Sequence, residues 1–114
     1  MRRSELYLAD IIEAADDIAE FVLGLDPDSF AGNKIVRSAV LQKLIVIGEA
    51  ASRLPSEFRE RHPDIEWADI AAFRNRVVHA YFSVEWEIVW VAATEEVPRL
   101  RQQIAQIASD EDRD

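Results

Sequence analysis

The chain has 114 residues, of which 49% are hydrophobic and 31% charged; this is the length and composition of one globular domain and excludes a disordered or fibrous protein. Its 22 acidic residues outnumber its 13 Lys and Arg residues, giving a net charge of −9, which excludes a broad basic face for non-specific nucleic-acid binding. The absence of cysteine excludes disulfides and thiolate chemistry. No apolar run has the roughly 18–20 residues of a membrane span, and no signal-peptide pattern follows Met1. We therefore expect a cytoplasmic protein that has no membrane contact, no metal and no cofactor.

The first predicted helix begins at Ser4, whose hydroxyl can act as its N-cap, and runs to about Leu23. Gly24 then ends the helix. Residues 25–32 form a connector that can hold a short turn. Apolar residues recur at helical spacing along one face of this first helix: Leu8, Ile11, Ile12, Ala15, Ile18, Ala19 and Val22.

The second predicted helix covers residues 34–54, with Asn33 as its N-cap and Pro55 after its end. Its core face carries Val36, Val40, Leu44, Ile47, Ala51 and Leu54. The opposite side is also apolar, with Ile35, Ala39, Val46 and Ala50 interrupted only by Gln42 and Glu49. Such a helix is buried on two sides, either because another helix of the chain covers it or because it lies in a subunit interface. We favour a homodimer through this helix.

The remaining sequence predicts a short helix over 56–62, a fourth helix over about 68–82 and a last helix over about 84–108. Pro98 either kinks the last helix or begins a separate final segment. Trp86 and Trp90 lie four residues apart and are expected to pack together on one face. The sequence thus predicts an all-α bundle of four to five helices, in which residues 1–109 form a single domain and residues 110–114 a short acidic tail.

One charged residue stands where the fourth helix should be apolar. Arg74 falls near the middle of the arc formed by Ile70, Phe73, Val77, Val78 and Tyr81. A buried guanidinium requires a carboxylate partner or a bound anion, and Glu49 is the best candidate partner. The alternative is that Arg74 extends to solvent and that His79 is an ordinary histidine. On a straight helix Asn75 and His79 project about 100° and 140° away from Arg74, so periodicity alone does not define one compact site.

Residues 74–81, with the sequence Arg-Asn-Arg-Val-Val-His-Ala-Tyr, resemble the R-x4-H-x-Y motif of HEPN-domain proteins, specifically of the HepT-like ribonuclease toxins. The flanking segments 47–51, 63–67 and 81–90 are also similar to the family, so that the resemblance covers most of residues 35–100. The sequence departs from the family pattern at Ser83, where glycine is common, and at Ala80, where the residue is often polar. Neither departure removes a motif residue.

The resemblance implies a HEPN-type bundle that forms a two-fold homodimer, with the motifs of both protomers meeting at the interface. The implied activity is metal-independent cleavage of RNA, in which the 2′-hydroxyl attacks the adjacent phosphate. His79 would transfer a proton, Arg74 would bind the phosphate, and Asn75 would hold the phosphate or His79. Arg76 is a possible contact to the RNA backbone. Glu49 would orient Arg74 and would not act as a base.

In HepT-like systems the partner is a minimal nucleotidyltransferase antitoxin, and the resemblance implies that Tyr81 accepts adenylyl groups from it. An AMP group beside His79 and Arg74 would repel and block RNA. The helical pattern by itself favours the alternative that Tyr81 is a core aromatic residue with a satisfied hydroxyl. Two other functions remain open, namely a non-catalytic nucleotide-binding or substrate-presenting partner of a nucleotidyltransferase, and a purely structural helical dimer.

Overall fold

The computed structural model describes residues 3–72 and 85–112, with side chains as far as Asp110. Within these ranges the chain forms helices and turns and no strand, which confirms the predicted all-α fold class. The helices are α1 (Ser4–Val22), α2 (Pro27–Ala31), α3 (Lys34–Arg53), α4 (Ser56–Arg61), α5 (described over 67–72), α6 (Trp86–Val91) and α7 (Val97–Asp112).

The core of the bundle lies where α1 packs against α3 and α7. Ile11, Ile18, Val40 and Ile104 have no exposed surface, and they come from all three helices. Most residues of the two predicted apolar stripes are buried or half-buried, with Ala19 as an exposed exception. Burial of these aliphatic side chains is the main force that holds the three helices together.

Most predicted helix ends are confirmed, whereas the cap of α1 and the end of the last helix are corrected. The Asn33 side-chain oxygen accepts a hydrogen bond from the Val36 amide at 3.1 Å, as expected for the cap of α3. Gly24 follows α1 with a φ of +80°, a conformation that favours glycine. The prediction that Ser4 caps α1 is wrong, because Ser4 is already helical and Arg3 occupies the cap position without a side-chain cap bond.

The connector between α1 and α3 contains a helix of five residues, α2, which carries a buried aromatic side chain. Phe30 is completely buried, and its ring centroid lies 6.3 Å from that of Trp86 and 5.3 Å from that of Trp90. The predicted packing role of the two tryptophans is confirmed. Through these rings α2 holds the first turns of α6 against the bundle.

The second apolar side of α3 is covered unevenly. Ala50 is buried, Ala39 and Val46 are half-buried, and Ile35 is 83% exposed. In the single chain, the predicted burial of α3 on two sides is therefore confirmed near Ala50. It is not confirmed at Ile35, whose side chain is exposed. The homodimer through this face stays a prediction.

Helices α6 and α7 form one continuous helix with a widened, π-helical turn at Ala92–Glu96. Pro98 is the second residue after this turn. Proline lacks an amide hydrogen, and its ring crowds the carbonyl four residues earlier, which a wider turn relieves. The helix continues to Asp112 and not to about residue 108, and the Gln106 amide donates to the Asp110 carboxylate at 3.0 Å near its end. In the part of the chain that is described, no helix combines the length and apolar character needed to cross a membrane.

Candidate functional site

The five motif residues predicted from the resemblance, Arg74, Asn75, Arg76, His79 and Tyr81, lie outside the described residues. Their proximity to one another and to Glu49 therefore stays a prediction. The structure describes Glu49 and the two segments that lead into and out of the motif. These parts determine where the motif segment begins and ends relative to the bundle.

The segment that enters the motif is anchored by Trp67 at the start of α5. Its indole nitrogen donates a hydrogen bond to the His62 carbonyl at 3.0 Å, and its ring packs edge-on against Phe58 at 6.4 Å. The carbonyl of Glu66 accepts a hydrogen bond from the Ile70 amide at 3.2 Å and begins the helix. These contacts join α4 to α5. They fix the position at which α5, the helix that leads to the motif, begins.

The segment that leaves the motif is anchored by Trp86 at the start of α6. The Glu85 carbonyl accepts hydrogen bonds from the amides of Ile88 and Val89, at 3.1 and 3.2 Å. The Trp86 ring lies between Phe30 and the guanidinium of Arg37, whose Cζ atom is 4.5 Å from the ring centroid. The exit from the motif is thus tied to both α2 and α3.

Glu49 is the one predicted site residue whose surroundings are described. It lies on α3 with 33% of its side chain exposed, and its Oε2 atom is 3.7 Å from Nη2 of Arg53, one helical turn later. A partly exposed ion pair of this kind stabilises the fold only slightly. The predicted pairing of Glu49 with Arg74 lies outside the described residues.

The acidic residues at the start of α5 repel one another. A hydrogen bond to Asp69 and the charge of Asp69 raise the pKa of Glu66 above its ordinary value; Glu96 adds to this effect, and Arg99 opposes it. Glu66 immediately precedes α5 and Asp69 lies in its first turn, whereas Glu96 and Arg99 come from the π-helical turn and α7. The charges of two chain segments therefore face each other beside the entrance to the motif.

Sequence reasoning did not single out Arg37, Glu66 or Asp69. The spacing of Glu66 and Asp69, three residues apart at a helix start, could have indicated that their carboxylates are neighbours. No sequence signal indicates that Glu96 and Arg99 join them, because that depends on how α7 packs. Likewise, the contact of Arg37 with Trp86 joins residues 49 positions apart.

Comparison with known families gives one match that covers most of the chain. The family described as HepT-like, "Ribonuclease HepT-like", matches residues 11–107. These residues include both described flanks and the segment between them. The resemblance predicted from residues 74–81 is therefore confirmed at the level of the family.

Similar proteins occur in archaea and bacteria. "Putative RNase MJ1380" of Methanocaldococcus jannaschii is 34% identical over 103 residues, covering 90% of this chain and 94% of that protein. "Probable ribonuclease HepT" of Thermococcus cleftensis is 37% identical over 102 residues, covering 89% and 93%. "Putative RNase TTE0752" of Caldanaerobacter subterraneus subsp. tengcongensis is 33% identical over 111 residues, covering 97% and 99%. No solved structure matches the chain significantly.

Proposed function

Because this chain belongs to the HepT-like ribonuclease family, we propose that it is the ribonuclease toxin of a toxin–antitoxin module of the type VII kind. The observation that carries the proposal is the complete R-x4-H-x-Y motif formed by Arg74, His79 and Tyr81 in a chain of this family. The relatives that match over nearly their whole length are named as RNases. An RNA-cleaving activity is the function that these observations favour.

The proposed reaction needs no metal. The 2′-hydroxyl of the RNA loses its proton and attacks the adjacent phosphorus, the bond to the 5′-oxygen breaks, and a 2′,3′-cyclic phosphate remains. His79 transfers a proton at the attacking or the leaving oxygen, since an imidazole titrates near neutral pH. Arg74 donates hydrogen bonds to the phosphate as its charge increases, and Asn75 holds either the phosphate or His79. Arg76 contacts the RNA backbone.

Cleavage of total RNA in excess chelator tests this reaction. The chain has two histidines, His62 and His79, so His62→Ala is a matched control for His79→Ala. We expect His79→Ala to lower the cleavage rate by about 10²–10⁴-fold, the usual contribution of general acid–base catalysis, and His62→Ala to retain it. The protein must first be shown by intact mass to carry no AMP. Equal activity of the wild type and His79→Ala would refute the mechanism.

The proposed active site is formed by two protomers. The incompletely covered side of α3, with exposed Ile35 and half-buried Val46, supports an interface there. A mixed dimer of one Arg74→Ala and one His79→Ala protomer tests the arrangement. If each site needs Arg74 and His79 from different protomers, mixing restores one intact site and about half of the activity. A monomer in analytical ultracentrifugation would contradict the proposal.

Regulation is proposed to act through Tyr81 and a minimal nucleotidyltransferase antitoxin. Adenylylation of the Tyr81 hydroxyl would place negative charge and bulk where the RNA phosphate binds. Incubation with the antitoxin and ATP should increase the intact mass by whole AMP units and abolish cleavage. Tyr81→Phe should block both effects while it leaves RNA cleavage measurable.

The alternative is a non-catalytic nucleotide-binding or substrate-presenting partner of a nucleotidyltransferase. The net charge of −9 favours it, because an acidic surface accommodates a protein partner more easily than RNA. Expression in cells separates the two functions. A toxin should arrest growth, and His79→Ala should relieve the arrest, whereas a partner subunit should be harmless by itself.

A further inference from the structure

A cavity of about 540 Å³ lies between α3, the start of α5, α6 and the start of α7. Its bottom is apolar and is formed by buried side chains that include Leu44, Ile47 and Ile65. Two further isoleucines lie at its edge: Ile70 is half-buried, and Ile88 is 44% exposed. We call this cavity the α5–α7 groove. Ile70 and Ile88 are the larger apolar side chains of its lining that another molecule could contact, because Leu44, Ile47 and Ile65 are buried.

The rim of the groove is acidic. Among the described residues that line it, the charged ones are Asp64, Glu66, Asp69, Glu96 and Arg99, and all five are exposed. The carboxylates come from two parts of the chain, the segment that leads into α5 and the π-helical turn. The rim therefore carries a formal charge of −3, which attracts a cation and repels a phosphate.

The carboxylates are close enough to influence one another. The negative charges of Asp69 and Glu96 and the positive charge of Arg99 all act on Glu66. Acidic residues at the start of α5 are favourable for that helix, since its N-terminus carries a partial positive charge. This helix effect does not account for Glu96 in the π-helical turn or for the exposed Ile88 in α6.

We propose that the α5–α7 groove binds a short, basic, amphipathic segment of a partner protein. Apolar side chains of that segment would pack against Ile70 and Ile88, while its Lys or Arg side chains would lie over Glu66, Asp69 and Glu96. An amphipathic helix in an apolar groove with complementary charge at the rim is a common mode of peptide recognition. RNA does not suit this surface, because its phosphates would meet four carboxylates.

The position of the groove connects it to the motif. Ala72, the last described residue before the motif segment, and Ile88, in the first turns of α6, both line the groove. A bound segment would therefore touch the chain on both sides of residues 73–84. Any influence of the bound segment on RNA cleavage would rest on the proposed function, whereas the binding itself does not.

Binding can be tested with a defined probe, a fluorescent 14-residue peptide that has Lys and Leu at helical spacing. A second peptide with Ser in place of Leu keeps the charge and removes the apolar face. Fluorescence anisotropy at physiological salt should show that the Lys–Leu peptide binds at least about tenfold more tightly than the Lys–Ser peptide, because only the former has apolar side chains that can pack against Ile70 and Ile88. Equal affinities would overturn the proposal.

Variants locate the binding site. Glu66→Gln with Asp69→Asn should weaken binding of the Lys–Leu peptide about tenfold. The control pair Glu13→Gln and Glu20→Gln removes the same charge from exposed positions on α1 and should change affinity less than about twofold. Equal losses for the two pairs would mean non-specific attraction to an acidic protein and would overturn the proposal.

The exposed isoleucine gives a second comparison. Ile88→Ser should weaken peptide binding about fivefold through loss of apolar contact, whereas Leu23→Ser, at a side chain that is 81% exposed, should not. Amide chemical-shift changes in the unmodified protein should cluster at Ile70 and Ile88, which tests the site without any variant. If Ile88→Ser instead dissociates a homodimer and leaves peptide binding unchanged, the groove is a contact between copies and the proposal is wrong.

The two proposals fail separately. Specific peptide binding by a protein that cleaves no RNA would support the groove and refute the nuclease. If cleavage depends on His79 but the rim and control pairs of variants have equal affinity for the peptide, the nuclease is supported and the groove proposal is refuted.

Discussion

The guanidinium of Arg37 lies over the indole ring of Trp86, with Cζ 4.5 Å from the ring centroid. Nη1 of the same guanidinium donates a hydrogen bond to the Ala31 carbonyl at 2.8 Å. One side chain of α3 thus joins the end of α2 to the first turn of α6. Since α6 follows the motif segment, Arg37 contributes to fixing where the chain leaves the motif.

Arg37→Ala should lower the free energy of unfolding by about 1 kcal/mol, because it removes a cation–π contact and the packing of the arginine stem. Urea denaturation measures the change. Arg53→Ala is the control on the same helix; its exposed ion pair with Glu49 should account for less than about 0.5 kcal/mol. Equal losses for the two variants would show that the Trp86 contact contributes nothing.

Phe30→Ala should be the more damaging change, because the ring is completely buried against Trp86 and Trp90. Loss of a buried phenylalanine side chain costs about 3–5 kcal/mol through lost burial and the cavity left behind. Urea denaturation should show this loss, with a decrease in near-ultraviolet circular dichroism from the tryptophans. Leu23→Ala, at an exposed position, should change stability by less than about 0.5 kcal/mol.

Asp26 makes the stability of the protein depend on pH in the acidic range. Its carboxylate accepts a hydrogen bond from the Ser29 amide at 2.8 Å, and this bond, with the Ser29 hydroxyl, lowers the pKa of Asp26 below its ordinary 3.8. The stabilisation is complete above pH 3.8 and is lost as the pH falls through the lower, folded-state value. Asp26→Ala should lower the melting temperature at pH 6 and reduce its fall between pH 4 and 2.5. Asp28→Ala, in the first turn of α2, is the control that keeps the bond between Asp26 and Ser29.

Glu66 should change the pH dependence of stability in the direction opposite to Asp26. Asp69 raises the pKa of Glu66 above its ordinary 4.5, so the ionised carboxylate is unfavourable in the folded protein at neutral pH. As the pH falls through the folded-state value toward 4.5, protonation relieves this repulsion. Glu66→Gln removes the charge and keeps a hydrogen-bond donor for Asp69, so it should raise the melting temperature at pH 7.

The gain from Glu66→Gln should disappear below pH 4, where the wild-type carboxyl is protonated in both the folded and unfolded states. Glu57→Gln, at an exposed position of α4, serves as the control for loss of one negative charge. A gain of the same size in both variants would indicate relief of overall charge and not of the repulsion by Asp69.

Helix type and most helix ends could be predicted because local chemistry determines them. Asn33 caps α3, and Gly24 takes the positive φ that ends α1. The π-helical turn at Ala92–Glu96 could not be predicted, since the sequence indicates only that Pro98 disturbs the helix and not how the hydrogen bonds shift. Ser4 failed as a cap because a one-residue shift of the helix start removes the required extended backbone.

The candidate site also has one part that the sequence could predict and another that depends on tertiary packing. The R-x4-H-x-Y motif is a short local pattern that the sequence reveals by resemblance. The α5–α7 groove joins residues as distant as Leu44 and Arg99, and only packing of α3, α5 and α7 brings them together. Periodicity predicted Glu49 as a polar residue on an apolar side of α3, and the structure places it half-buried there.

Glu49 is predicted to position Arg74, so its substitution should affect catalysis more than RNA binding. We expect Glu49→Ala to lower kcat about tenfold with little change in KM, because a misoriented guanidinium loses contacts that strengthen in the transition state. Glu49→Asp should recover part of the loss, since it keeps the carboxylate. Arg53→Ala removes the neighbouring cation and leaves the carboxylate in place, so it should retain kcat. If Arg53→Ala lowers kcat as much as Glu49→Ala does, the ion pair within α3 is what matters, and Glu49 does not act through Arg74.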